Sequence, residues 1–307
     1  MTEPAANSVT VMEVSPRDGL QNESARLSTP VKLELIDRAL AAGAKRIEVA
    51  SFVHPSRVPQ MADAEAVCRD LPQRGDVTYT GLVLNQRGYD RLRATGRLDE
   101  VGVVVPATDT FGERNQGMDV KANLRMAKAI LEDARRRGLR AQVTIAVAFG
   151  CPFEGDVPGD RILEIATELA AAGPVEIALA DTIGVGVPRQ VTDLFAALAQ
   201  RLGDLPLRAH FHDTRNTGIA NAYAALEAGV ATLDASIGGI GGCPFAPSAT
   251  GNIATEDLVY MLDRMRIAHD LDLDALIDSA GWLASVLDKP VPSSLLRAGP
   301  FKPSMAE

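Results

Sequence analysis

The chain has three cysteines in 307 residues, Cys68, Cys151 and Cys243. They are too few and too scattered for a disulfide framework or a zinc cage, which points to a reducing compartment. No apolar window approaches the length of a membrane span. Residues 1–8 carry no basic residue and no apolar stretch, so the sequence predicts no secretory leader and a cytoplasmic protein. A formal charge of -9 without a basic stripe argues against a nucleic-acid partner. No phosphate-cradling glycine fingerprint follows the first strand-like run, which argues against an open nucleotide-binding sheet.

What is present is a long alternation. β-branched runs at 9–14, 46–52, 78–84, 100–105, 141–148, 175–180, 207–211 and 232–236 read as strands. Helical patterns follow at 30–42, 63–70, 86–95, 121–137, 160–172, 188–202, 218–228 and 255–268, several closing on a glycine: Gly43, Gly138, Gly173 and Gly229. Eight such units predict a (β/α)8 TIM barrel. A helix at 273–287 and a proline-rich end form a short C-terminal extension, about 271–307, of one catalytic domain whose barrel spans about 9–270.

In a barrel of this kind the active site gathers at the C-terminal ends of the strands. The seventh strand ends in His210-Phe211-His212, and alternation puts both imidazoles on one face as paired metal ligands. Asp18, after the first strand, adds a carboxylate, and Asn252 is a further candidate. This mixed nitrogen and oxygen set suits Mg2+ or Mn2+. Arg17 offers fixed charge to a developing oxyanion. Glu48 and Asp181 are strand carboxylates that need a partner, as supports for Arg17 or a histidine or as acid–base groups. Glycine occupies four of the six positions from Gly238 to Cys243, so Cys243 lies in a loop able to approach a ligand and transfer a proton. Cys68 and Cys151 read as structural, and His269 as solvent-facing. Gln21, Ser51, His54, Thr182 and Arg215 are the candidates for substrate contact. No lysine ends a predicted strand, which excludes Schiff-base aldolase chemistry.

Several segments together resemble one family. They include Glu13-Val14-Ser15-Pro16-Arg17-Asp18-Gly19-Leu20-Gln21-Asn22-Glu23, Val58-Pro59-Gln60-Met61-Ala62-Asp63 and Gly150-Cys151-Pro152-Phe153-Glu154-Gly155. Asp181-Thr182-Ile183-Gly184-Val185-Gly186, Gly241-Gly242-Cys243-Pro244-Phe245 and Gly251-Asn252-Ile253-Ala254-Thr255-Glu256 continue the series. The chain resembles the 3-hydroxy-3-methylglutaryl-CoA lyases of the DRE-TIM metallolyase superfamily. That resemblance implies an acyl-CoA substrate, a homodimer, and a divalent metal held by Asp18, His210, His212 and Asn252. It further implies that Arg17 stabilises an enolate, that Cys243 helps protonate it, and that Glu48 and Asp181 are catalytic-site carboxylates. The implied reaction is a retro-Claisen cleavage to acetyl-CoA and acetoacetate, in leucine degradation.

The chain departs from the family pattern at Arg215, Thr108 and His54, loop positions expected to shape the acyl pocket. Lyases for citramalyl-CoA or a longer-chain hydroxyglutaryl-CoA are therefore alternatives. A Claisen-type synthase is a weaker rival, since Gly242-Cys243-Pro244 stands where those enzymes usually carry Gly-Glu-Arg. A metal-binding barrel without catalysis would bind metal and cleave no thioester.

Overall fold

The computed structural model describes residues 8–242 and 251–301. Short buried runs and amphipathic helices alternate: β1 (Thr10–Glu13), α1 (Thr29–Ala41), β2 (Arg46–Ser51), α2 (Ala64–Asp70), β3 (Thr78–Val83) and α3 (Gln86–Thr95). Then come β4 (Glu100–Pro106), α4 (Asp109–Gln116), α5 (Val120–Arg136), β5 (Arg140–Ala146), α6 (Gly159–Ala170), β6 (Ile177–Asp181) and α7 (Pro188–Leu202). The cycle ends with β7 (Leu207–Phe211), α8 (Gly218–Glu227), β8 (Thr232–Ala235) and α9 (Thr255–Met265), and α10 (Leu273–Leu287) and α11 (Ser294–Ala298) follow. All eight strands pair in parallel, and β8 closes on β1, giving the expected (β/α)8 barrel. The predicted helix ends at Gly43, Gly138, Gly173 and Gly229 all have positive φ, a backbone state that only glycine enters cheaply.

Several elements differ from expectation, among them α11, which forms in the stretch expected only as a proline-rich end. Helix α4 was read as loop, because only Phe111 in its eight residues is strongly apolar and Gly112 sits inside it. Residues Ser15–Gly19 form one wide π-type turn with Pro16 at its start, where a loop was expected. The last barrel helix ends at Met265 rather than 268, because Arg266 takes a left-handed conformation and Ile267 N–H returns to Leu262 O. Ile267 continues the apolar period beyond the real end of the helix.

The lower barrel interior is charged rather than an apolar stack. Arg46 donates to Glu100 and Glu176 at 2.8–2.9 Å, and Arg208 reaches Glu176 at 2.8 Å while also pairing with Asp234. Each member is nearly inaccessible, so each charge depends on its partners for solvation. Among the described residues no helix is long and apolar enough to cross a membrane.

Candidate active site

Alternation along β7 aligns Arg208 and His210, and the same parity carries on to His212 just beyond the strand. Phe211, between the histidines, packs on Phe149 with ring centroids 5.8 Å apart. The turn at Ser15–Gly19 brings Arg17 and Asp18 over the same strand ends. Asp18 Oδ2 lies 3.8 Å from His210 Nε2 and 3.6 Å from His212 Nε2. One ligand atom from each of these three residues lies within 4.8 Å of the others. An isolated bridge between His212 and Asn252 delivers the fourth group. Asn252 Nδ2 donates to Asp18 Oδ2 at 2.8 Å and to Ile240 O at 3.0 Å. Two buried atoms, His212 Nδ1 and Asn252 Oδ1, have no hydrogen-bond partner among the described residues. Two imidazoles, a carboxylate and a free amide oxygen fit a divalent ion such as Mg2+ or Mn2+.

Electrostatics keep Asp18 ionised. Burial alone would raise the Asp18 carboxyl, but the Arg17 guanidinium and the two histidines hold it well below the usual carboxylate range. His210 goes the other way. Burial would lower its pKa, yet Asp234 and Asp18 raise it above the ordinary imidazole value. Its Nδ1 lies 3.0 Å from Asp234 Oδ2, so a carboxylate fixes the ring and leaves Nε2 to face Asp18. Sequence reasoning missed Asp234; its only signal was an acid on an inward position of a short strand.

Arg17 is buried and pairs with both Glu48 and Asp18. A register shift between Glu48 and Ala50, where β2 pairs with β3, allows residues three apart to serve one face. Glu48 thus holds Arg17, while Ser51 Oγ donates to Gln21 Oε1 at 2.8 Å. Asp181 makes its bonds elsewhere: its oxygens accept from Val185 N–H at 2.9 Å and Gly186 N–H at 2.8 Å. It therefore fixes the turn after β6, next to Thr182, rather than pairing with Arg17 or a histidine. Burial raises the Asp181 carboxyl despite those two donors.

Arg17, Asp18, Glu48, His210, His212 and Asp234 line a cavity of about 140 Å³, whereas the Ser51, Asp181 and Asn252 side chains lie behind its wall. Gln21 and Thr182 line it, and Leu82, Leu84, Val104 and Phe111 supply an apolar wall. The cavity meets a groove of about 960 Å³ at Gln21, Asn22, Leu84 and Asn115. Asn115, on α4, went unnoticed because α4 itself was missed. Of the loop residues expected to shape the acyl pocket, only His54 lines either space. Thr108 is buried, with Oγ1 on Cys151 Sγ at 3.1 Å, and Arg215 donates to Ile183 O and Gly184 O at 3.0 and 2.9 Å. Their side chains instead brace neighbouring loops. Cys68 is buried in α2, and burial pushes its thiol up to about 12, consistent with a structural role. His269 is not solvent-facing: its side chain is 6% exposed and bonded to Asp263 at 3.0 Å. Cys243 lies outside the described residues.

The HMGL-like family matches residues 8–282. The (R)-citramalyl-CoA lyase of Chloroflexus aurantiacus is 43% identical, over 97% of this chain and 96% of its own. The 3-hydroxy-3-isohexenylglutaryl-CoA/hydroxymethylglutaryl-CoA lyase of Pseudomonas aeruginosa is 40% identical, over 92% of this chain and 93% of its own. An HMG-CoA lyase from Acinetobacter baumannii, solved in complex with coenzyme A and 3-methylmalate, superposes with a TM-score of 0.94. It is 36% identical, with both chains fully covered. With that match across most of its length and relatives this similar over nearly all of it, the chain belongs to the HMGL-like family.

Proposed function

We propose that the protein is a divalent-metal-dependent acyl-CoA lyase that performs retro-Claisen cleavage, with 3-hydroxy-3-methylglutaryl-CoA as first-choice substrate and acetyl-CoA and acetoacetate as products. The observation that carries this reading is the convergence of Asp18, His210 and His212 beside Arg17 in one buried cavity at the strand ends. A bound Mg2+ or Mn2+ supplies Lewis-acid stabilisation of negative charge on oxygen. Asp18, His210, His212 and Asn252 would hold it, and Asp234 keeps the His210 ring in place.

The reaction balances without a co-reactant. The tertiary hydroxyl loses its proton, the C2–C3 bond breaks as the ketone forms, and its electron pair passes to the thioester as an enolate. Protonation at C2 then gives acetyl-CoA. Arg17, oriented by Glu48, offers fixed positive charge to that enolate. Cys243, on the glycine loop, is the proposed proton donor. Asp181 supports Thr182 at the cavity wall.

The larger groove supports a CoA thioester. Among the described residues it carries Arg57, Arg87, Arg91 and Arg114 against one acid, Glu65, in a chain of net charge -9. That is a local attraction for phosphates. Cytoplasmic leucine breakdown and homodimeric assembly complete the reading on family resemblance. A second substrate reading, (R)-citramalyl-CoA, rests on the name borne by the 43% identical relative.

Mass spectrometry of the purified protein with Mg2+ or Mn2+ and a thioester panel tests the proposal. Release of acetyl-CoA and acetoacetate from 3-hydroxy-3-methylglutaryl-CoA is expected. Pyruvate from citramalyl-CoA would favour the second substrate, and no cleavage of any member with metal bound would overturn the lyase reading.

A further inference from the structure

The glycine loop leaves β8 through Ser236 and Ile237, and its left-handed glycines follow at once: Gly238 (φ 74), Gly239 (φ 67) and Gly241 (φ 134). Such a segment would move freely if its root were free. The root is held on every side by groups that the proposed chemistry does not use. Gly238 N–H is bonded by both oxygens of Glu256, at 3.1 and 3.2 Å, and Gly238 O accepts from Ser293 N–H at 3.2 Å. Val291 packs so closely that a Cβ placed on Gly238 would meet it at 3.3 Å, and one on Gly239 would meet Pro292 at 3.4 Å. One residue earlier, Ile237 N–H donates to Glu13 Oε1 at 3.1 Å. The same Glu13 oxygen accepts from Ser15 N–H at 2.8 Å, at the start of the turn that carries Arg17 and Asp18. Thr255 Oγ1 holds the second Glu13 oxygen at 2.7 Å.

Two fully buried carboxyl groups with no cation among their hydrogen-bond partners in the described residues are costly features in a core. Here both are spent on main-chain donors at one hinge. The C-terminal extension joins them, because Asp257, next to Glu256, accepts from Ser294 and Leu295 N–H at 2.9 and 2.8 Å. That contact seats residues 291–293 against the loop root.

We propose that Glu13, Glu256 and the strap at residues 291–293 form a clamp that fixes the root of the glycine loop against the Arg17–Asp18 turn. Glu13 and Glu256 are then positioning residues for turnover, and the C-terminal extension is a working part of the active site. The catalytic half of this proposal rests on the lyase reading above. Beyond the clamp, Asn22 Nδ2 donates to Gly242 O at 2.7 Å, Asn252 Nδ2 donates to Ile240 O, and the Ile240 side chain is buried in the core.

The test uses the full chain with Glu256→Leu, Glu256→Gln and Val291→Ala. Amide hydrogen exchange, Mn2+ affinity, and kcat and KM for thioester cleavage are measured on each. Glu256→Leu removes the acceptors and should speed exchange at residues 237–242 by about tenfold or more. It should lower kcat by roughly ten- to a hundredfold with Mn2+ affinity nearly unchanged. Glu256→Gln keeps an acceptor and should restore most of both. Val291→Ala, which leaves the carboxylate in place, should move loop exchange and kcat in the same direction by less. It carries the test if Glu256→Leu does not fold. Unchanged loop exchange, equal damage from Leu and Gln, or full kcat with a loosened root would overturn the proposal. If the unsubstituted protein cleaves no thioester the lyase reading fails instead, and loop exchange alone decides the clamp.

Discussion

At the scale of single residues, the proposed metal ligands depend on the groups that hold them. Asp234 bonds His210 Nδ1 and is itself buried against Arg208, which, with His210, outweighs burial and keeps its carboxyl below the usual range. Asp234→Asn retains the shape and loses the charge. It should weaken Mn2+ binding by about ten- to a hundredfold, read by calorimetric titration; unchanged affinity would show that the ring needs no carboxylate. The histidine pair was legible in the sequence because a period of two leaves its spacing no other sense in a strand. Asp234 was not, because a lone acid in a four-residue strand carries no spacing signal. That Glu48 and Ser51, three apart on one strand, serve the same face depends on a register shift that has no mark in the sequence. For Asp181 residue type alone could not tell a turn-holding carboxylate from one paired with Arg17.

At the scale of elements, the glycine loop and α9 make two predictions. Gly241 has φ 134, and a Cβ there would stand 2.5 Å from Asn252 Nδ2. Gly241→Ala should therefore displace Asn252 and depress both Mn2+ affinity and turnover. Gly117→Ala, at φ 74 with nothing within 4 Å, should affect neither. Equal effects from the two would mean that backbone strain, not the encounter with Asn252, is responsible. In α9, burial raises the Glu256 carboxyl from near 4.5 to about 7, with neighbouring Asp257 adding slightly. The folded chain thus holds this proton more tightly than the unfolded chain does. Its contribution to stability is full below about pH 4.5 and is lost as pH rises towards 7, by an amount of order 3 kcal/mol. Denaturant unfolding should show wild type losing ground to Glu256→Gln between pH 5 and 8; a difference that stays flat would contradict the assignment. The regular elements were legible because strands and long helices advertise their periods and their glycine ends. Helix α4 was not, since Phe111 is its single strongly apolar residue, and the five-residue Ser15–Gly19 turn is too short to show a period.

At the scale of the whole molecule, the barrel is filled below the site by interlocked charges. Glu176 accepts from Arg46, Arg208 and Thr232 at 2.8–2.9 Å. Glu176→Ala would leave two buried guanidinium groups one carboxylate short, Arg46 with Glu100 and Arg208 with Asp234, and chemical denaturation should register a loss of about 3–5 kcal/mol. A loss under about 1 kcal/mol would indicate that water or repacking replaces the carboxylate. Eightfold alternation revealed the barrel, but an inward ion network is invisible until the strands are in register.

In the proposed mechanism Asp18, His210, His212 and Asn252 hold one divalent ion on which cleavage depends. The most direct test strips the protein with a chelator and returns Mn2+ in steps, following bound metal and thioester cleavage together. Cleavage that vanishes on stripping and returns in proportion to one tightly bound ion per chain, with both lost in His212→Ala, is the predicted result. Cleavage that survives stripping, or tight binding that persists in His212→Ala, would contradict it.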